Sequence, residues 1–444
     1  MNSSVRLINH ASAKISLDNI SIVSDPWYDG SVFHKGWKLI HELPIEETKK
    51  YLENTNYIYI SHEHPDHFSP NFFLNNEYKE ILNRNNTKIL FQKTKDKRVL
   101  KFLEKIGYKV IEVPNNKYVT LENGVKVKIV KFGYIDSALI IEGSTDKILN
   151  LNDCPLNDIN EIKRFRKDHG KFDLLLTQFS YAAWKGNEDN KEYRKKAAAE
   201  KIETMINQYN ILECKKIIPF ASFIYFSNKL NKFMNDQINQ PHIFQNQLMS
   251  KIDSIILKPG EIQDIKQLKQ KDSSLNFWKD EYAKIESLPF DNFDRSINFQ
   301  DLLTEYSKYK QKILDINSKF MIYLASKIKF LNFFQPINIF LLDHKKNYEF
   351  SLFKGFKETT NNNHDISMHS ESLFFIFKND FGYDTLTVNG CFNAPKKGFI
   401  KSTRSFAIGS LNSMGLKVNF NLIFNLKLVL FFFTLLRKVS KKLK

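Results

Sequence analysis

Cysteine is scarce, with three in 444 residues: Cys154, Cys214 and Cys391. Their spacing fits neither a zinc ribbon nor a disulfide framework. A reducing compartment, and so a cytoplasmic location, is expected. Acidic residues are in deficit: 49 Asp+Glu face 66 Lys+Arg, for a net charge of +17. That balance suits anionic partners, such as phosphorylated or sugar substrates, acidic glycans, a membrane surface or nucleic acid. The lysines are scattered rather than clustered, so most of the charge reads as compositional drift. No RNA-binding aromatic signature and no helix-turn-helix pattern goes with it, so nucleic acid is not an expected partner. Residues 1–12 lack the apolar core and cleavage pattern of a signal peptide. The apolar run Leu428–Phe433 is too short to span a bilayer.

Histidine is sparse as well, with 11 in the chain, yet three stand in one six-residue stretch, His62-Glu63-His64-Pro65-Asp66-His67. Imidazole nitrogen and carboxylate oxygen are the usual ligands of zinc, iron and manganese. Residues two apart point the same way on an extended or tightly turning backbone, so His62 and His64 can share one ion. Asp66 and His67 are then placed for a second ion. The zinc-protease pattern needs histidines four apart on a helix; here position 66 is Asp, and Pro65 would break the helix. The flanks read as strand, ligand loop, helix: Tyr57–Ile60 is aromatic and β-branched, Ser69 can cap a helix and Pro70 can occupy its first turn. His10 ends the first strand, near the sheet edge where such a loop would lie. It would orient a ligand or touch substrate, or else be a satisfied buried histidine.

Around the motif the chain alternates between β and α signals. Val5–Ile8, Ala13–Leu17 and Ile20–Val23 read as strands, with Asp18-Asn19 as a hairpin turn. The loop after Asp25-Pro26 is rich in aromatics, among them Trp27 and Trp37, which would line a substrate pocket or form a satellite apolar cluster. Helices are expected over 44–53, 96–106 and 191–209, and strands over 88–91, 109–113, 125–132, 138–142, 147–151, 173–177 and 216–219. This pattern fits two sheets packed face to face with helices outside. A boundary falls near Lys258-Pro259-Gly260. Residues 261–415 read as a helical stretch followed by a smaller α+β unit, with strands over 337–342, 348–353 and 385–388 and a helix over 370–378. The tail, 416–444, is apolar and then basic; it would dock on the second unit or lie on an anionic membrane surface, at the inner face of the membrane.

The H-x-H-x-D-H run resembles the signature of the metallo-β-lactamase superfamily. Asp25 matches that superfamily's acid at the end of an early strand, and Asp153, in Asn150-Leu151-Asn152-Asp153, matches its metal-bridging acid. Several further stretches resemble the metallo-lactamase-like portion of the CMP-N-acetylneuraminate hydroxylase family and its bacterial relatives. They are Leu7–Ser12, Asp25–Trp37, Asn150–Cys154, Gln178–Ala182, Pro219–Phe223 and Gly382–Leu386. The resemblance implies a four-layer αββα sandwich over 1–260 that holds one or two divalent transition metal ions through His62, His64, Asp66, His67 and Asp153. Two positions depart from it. Asp136 stands where a third histidine ligand is usual, and Asn228 where the last one is. An oxygen-rich set tilts selection toward iron or manganese over zinc. The family's Rieske portion needs two Cys-His pairs, and this sequence has none.

The expected function is a metal-dependent hydrolase acting on an ester, lactone or phosphodiester, such as a phosphorylated or nucleotide-linked sugar, with metal-activated hydroxide as nucleophile and Asp66 as ligand or general base. The alternatives are an iron-dependent oxygenase subunit fed by a separate electron donor, and a non-catalytic binding module at a membrane surface.

Overall fold

The computed structural model describes residues 3–248, 250–327 and 333–419. The tail from residue 420 onward, for which docking or membrane contact is expected, lies outside the described residues.

Two sheets form the first half. One has seven strands in the order Ile262–Asp264, Ser4–Asn9, Ser12–Leu17, Ile20–Ser24, Tyr57–Ile60, Lys88–Gln92 and Lys109–Val113. The other has six, in the order Cys214–Phe220, Phe172–Gln178, Lys147–Asn152, Asp136–Glu142, Lys126–Phe132 and Tyr118–Thr120. Short polar turns join the antiparallel strands. Asp18 and Asn19 adopt φ of 47° and 65°, the left-handed pair a two-residue hairpin requires. The parallel pairs are joined by helical crossovers: Tyr57–Ile60 to Lys88–Gln92 in the first sheet and Phe172–Gln178 to Cys214–Phe220 in the second.

Alternation along the strands builds the layers. Val5, Leu7, Ile15, Ile22, Tyr57 and Tyr59 face inward and share a core with Val127, Ile129, Leu139 and Leu149 of the second sheet. The opposite face of the first sheet, with Ile8, Val23, Ile58, Ile60 and Ile89, is covered by Leu52, Ile81, Leu82, Val99 and Leu103 from three helices. On the second sheet, helices Ile159–His169 and Lys191–Leu212 contribute Ile162, Phe165, Ala197 and Met205 to the core. The order is helix, sheet, sheet, helix. Trp278, Tyr282 and Ile285 also enter this first core; Trp278 stacks on Phe223 at 4.0 Å.

A second core begins at Ile297 and runs to Val418. It joins helix Phe299–Ile316 to a five-stranded sheet and to helices Ser370–Lys378, Gly382–Asn389 and Lys396–Ser413. The stretch 385–388, expected as a strand from its Thr and Val content, is helical: it lies within Gly382–Asn389, which Gly390 ends at φ 70°. Tertiary packing of Leu386 and Tyr383 into this core overrides the local β preference.

Candidate metal centre

The motif loop leaves the C-terminal end of strand Tyr57–Ile60. His67 N–H and Phe68 N–H both bond to His64 O, at 3.0 and 2.7 Å, which turns the loop tightly. Ser69 then caps helix Pro70–Leu74 as expected, accepting from Phe72 N–H.

Asp25 sits beneath the loop, almost fully buried. It accepts from Ser61 N–H (2.7 Å), Ser61 Oγ (2.8 Å) and His67 Nδ1 (3.0 Å). With Nδ1 of His67 donating to this carboxylate, Nε2 is turned toward the cluster with its lone pair free. Ser61 Oγ, donating to Asp25, accepts from His62 Nδ1 at 2.9 Å, so Nε2 of His62 is likewise turned inward. Asp25 thus acts through Ser61 on one histidine and directly on the other.

Two clusters result. In one, the ligand atoms of His10, Asp66 and His67 lie within 4.8 Å of one another; in the other, those of His62, His67 and Asp153 do. His10 Nε2 is 3.4 Å from Asp66 Oδ2, and His67 Nε2 is 3.3 Å from Asp66 Oδ2 and 3.6 Å from Asp153 Oδ1. His62 Nε2 lies 2.8 Å from His64 Nδ1 and 3.8 Å from Asp136 Oδ1. The loop, both neighbouring strand ends and His10 therefore converge on one place.

The donor set fits divalent cations. His67 Nε2, Asp66 Oδ1, Asp153 Oδ1 and His10 Nδ1 are buried without a hydrogen-bond partner. Two facing imidazole nitrogens at 2.8 Å need a proton or a cation between them. The field points the same way. Burial alone would push His67 down, but Asp66, Asp153 and Asp25 hold its imidazole well above the ordinary range. Burial and the neighbouring Asp153 push the Asp136 carboxyl up to about 7. The cluster is built for one or two divalent transition metal ions, zinc, iron or manganese by its chemistry.

The backbone around it is strained. His10, Asp25, Asn152 and Ala221 are non-glycine residues at φ of 36°, 37°, 52° and 53°. Ala221 N–H bonds to His10 O at 2.8 Å, which fixes the turn that aims His10 inward.

Other candidates lie elsewhere. Asn228 sits in its own turn, with its N–H on Asn231 Oδ1 (2.9 Å) and its Oδ1 accepting from Leu230 N–H (3.0 Å). His10 is the imidazole that joins Asp66 and His67. Trp37 is core: it packs on Phe33 at 4.5 Å and on Phe226 at 5.9 Å, because its strand Trp37–Leu39 pairs with Ile224–Phe226. Trp27 lines the cavity and meets the His10 ring edge-on at 5.5 Å. Cys154 is a buried thiol, pushed well above its usual range by burial.

A cavity of about 840 Å³ opens beside His64 and is walled by both cores. Phe68, Arg98 and Phe102 line one side, and Phe375, Asp384 and Thr387 the other. Arg98 Nη2 donates to Glu63 in the motif loop (2.8 Å) and to Ser413 O (2.7 Å). Asp384 accepts from Ser410 Oγ at 2.8 Å, and burial pushes its carboxyl up to about 6. Neither Arg98 nor Asp384 is legible in the sequence as a site residue. Asp384 lies in the expected Gly382–Leu386 stretch, but nothing local marks it as cavity lining.

No protein-family model matches the chain. It is 26% identical over 284 residues to the cytidine monophosphate-N-acetylneuraminic acid hydroxylase of Xenopus laevis, covering 60% of this chain and 46% of that one. It is 23% identical over 274 residues to the human protein named inactive cytidine monophosphate-N-acetylneuraminic acid hydroxylase, covering 57% and 52%. The chain spans about half the length of the curated relatives it matches. The paired sheets, the outer helices and the H-x-H-x-D-H loop facing Asp153 decide the architecture. The chain has the metallo-β-lactamase fold. Solved structures similar to it include the metallo hydrolase Igni18 of Ignicoccus hospitalis, at TM-score 0.43 and 15% identity over 59% of this chain and 98% of that one. Another is the diiron β-hydroxylase CmlA of Streptomyces venezuelae, at TM-score 0.38 and 12% identity over 59% and 54%. Residues of the second core wall the far side of the cavity beside His64.

Proposed function

We propose that the chain is a metal-dependent hydrolase of an ester, lactone or phosphodiester. The observation that carries this reading is the convergence of unpartnered ligand atoms from Asp66, His67 and Asp153 beside His62 and His64, with His10 Nε2 3.4 Å from Asp66 Oδ2. His62, His64, Asp136 and Asp153 would hold one ion, and His10, Asp66 and His67 a second next to it. Bound there, such ions supply Lewis acidity and acidify water.

The chain's own residues do the rest. Asp25 and Ser61 fix the two imidazole orientations. Asp136, at the cluster edge 3.8 Å from His62 Nε2, would complete the donor set of the first ion. Phe68, Phe102 and Phe375 give the cavity apolar walls, and Arg98, ion-paired with Glu63 and Asp96, lines it beside the motif loop. The net charge of +17 agrees with a phosphorylated or nucleotide-linked sugar as substrate.

One observation favours a second reading, an iron-dependent oxygenase subunit. The curated relatives carry the name hydroxylase, and carboxylates contribute heavily to the donor set. That chemistry needs electrons. Cys154, Cys214 and Cys391 are three separate buried thiols, so a relay would have to come from outside residues 1–444.

Product analysis in isotopically labelled water, with bis-p-nitrophenyl phosphate and p-nitrophenyl acetate as probes, separates the two. Label from water and turnover without reductant is the expected result. Label from molecular oxygen, in a reaction dependent on added reductant, would overturn the hydrolase reading.

A further inference from the structure

We propose that the cavity beside His64 takes an apolar group of the substrate, and that Asp384 accepts a hydrogen bond from a hydroxyl or amine on that group. This rests on the hydrolase reading of the cluster and names what the space beside it selects.

Helix Gly382–Asn389 has two faces. Tyr383 and Leu386 enter the second core. Phe381, just before the helix, and Asp384, Thr385 and Val388 on it recur at steps of three and four residues, and all line the cavity. Phe68 and Phe102 stand on the motif side. The space between is about 840 Å³. That size suits a small molecule or one part of it, and phenyl and valine walls suit an aryl or aliphatic body.

The charged groups that line this space differ in how they are matched. Arg98 pairs with Glu63 at 2.8 Å and with Asp96 at 2.9 Å. Lys35 pairs with Asp294 at 3.3 Å. Asp384 has no ion pair among the described residues. Its Oδ1 accepts from Ser410 Oγ at 2.8 Å, and among the described residues no donor reaches Oδ2. A carboxylate drawn out of water with one oxygen unmatched is costly, and burial pushes this one up to about 6. A donor on the substrate would offset that cost at the atom that lacks a partner. A hydroxyl and an amine share this chemistry, whereas a phosphate or carboxylate in the same place would meet like charge.

The substrate then has two parts. Its ester, lactone or phosphodiester lies at the cluster, which reaches the cavity through His64, and an apolar body with one donor lies against the helix face. A phosphorylated part, where there is one, belongs on the other side of the scissile bond.

Calorimetric titration of the metal-loaded full chain with 4-phenylbutan-1-ol, 4-phenylbutylamine and 4-phenylbutyl methyl ether tests this. The three share one apolar body, and only the ether lacks a donor. The alcohol and the amine should bind about tenfold more tightly than the ether. In Asp384→Leu, which removes the acceptor at similar volume, the three should bind alike, with circular dichroism and metal content as in wild type. If that variant does not fold, Asp384→Asn, which keeps a partner for Ser410 and loses the charge, should bring the amine to within about threefold of the ether. Equal binding of the three by wild type, no binding of any, or an undiminished preference in the folded variant would each overturn the proposal. Binding is read without turnover, so its failure leaves the hydrolase reading standing, and absence of hydrolysis in labelled water leaves the binding result standing.

Discussion

His67 shows how a single side chain can be held for ligation. Its Nδ1 is tied to Asp25 at 3.0 Å, leaving Nε2 between Asp66 and Asp153. Replacing Asp25 by Asn offers an amide where the imidazole donates to a carboxylate, and the histidine loses its fixed tautomer. Metal affinity is expected to fall about 10- to 100-fold in Asp25→Asn, read by competition with a chelating dye. His10 belongs to the same pocket, so His10→Ala should remove close to one ion per chain in elemental analysis while the His62–His64 ion is retained. Unchanged stoichiometry would remove His10 from the ligand set. Asp384 lines the cavity wall. Its carboxyl is raised to about 6, so the folded state prefers it protonated. The stabilisation this provides is present below the ordinary carboxylate range, near 4, and is lost as pH rises through about 6. Thermal unfolding of Asp384→Asn against pH should show a flatter profile over that window than wild type.

At the scale of elements, the aromatic loop and the helix Gly382–Asn389 set how the two cores meet. Asn389 Nδ2 donates to Phe33 O at 3.1 Å, and Asn231 Nδ2 donates to both Gly36 O (2.9 Å) and Asn389 O (2.6 Å). A Cβ at Gly36 would lie 2.3 Å from the Asn389 Cβ. Gly36→Ala should therefore force the cavity wall outward and cost about 1–3 kcal/mol in denaturant unfolding. A stability equal to wild type would mean the contact is not made. The loop with its four candidate ligand positions is legible in the sequence because strand, turn residues and helix cap are local signals. Asp25 and Asp153 are legible as acids at strand ends. What escapes is long-range. Trp37 reads locally as pocket lining or apolar cluster, and the pairing of its strand with Ile224–Phe226, far along the chain, decides for the core. The strand expected over 385–388 is a helix because Tyr383 and Leu386 are drawn into the second core. Arg98 reaches Ser413, 315 residues away, a contact that no window of sequence can show.

At the scale of the whole molecule, two strand ends in one sheet, one in the other and the first hairpin meet at a single edge, and the second core covers it. Among the described residues no helix is long and apolar enough to cross a membrane. The cavity wall supplied by Phe375 and Asp384 comes from a part of the chain outside the two sheets. The account rests on the metal centre. Crystals of the protein loaded separately with zinc, iron or manganese, measured at each metal's absorption edge, test it most directly. Two anomalous peaks are predicted, one bounded by His62, His64, Asp136 and Asp153, the other by His10, Asp66 and His67. A cluster without any peak, or a peak held by Asn228 in place of His10, would contradict it.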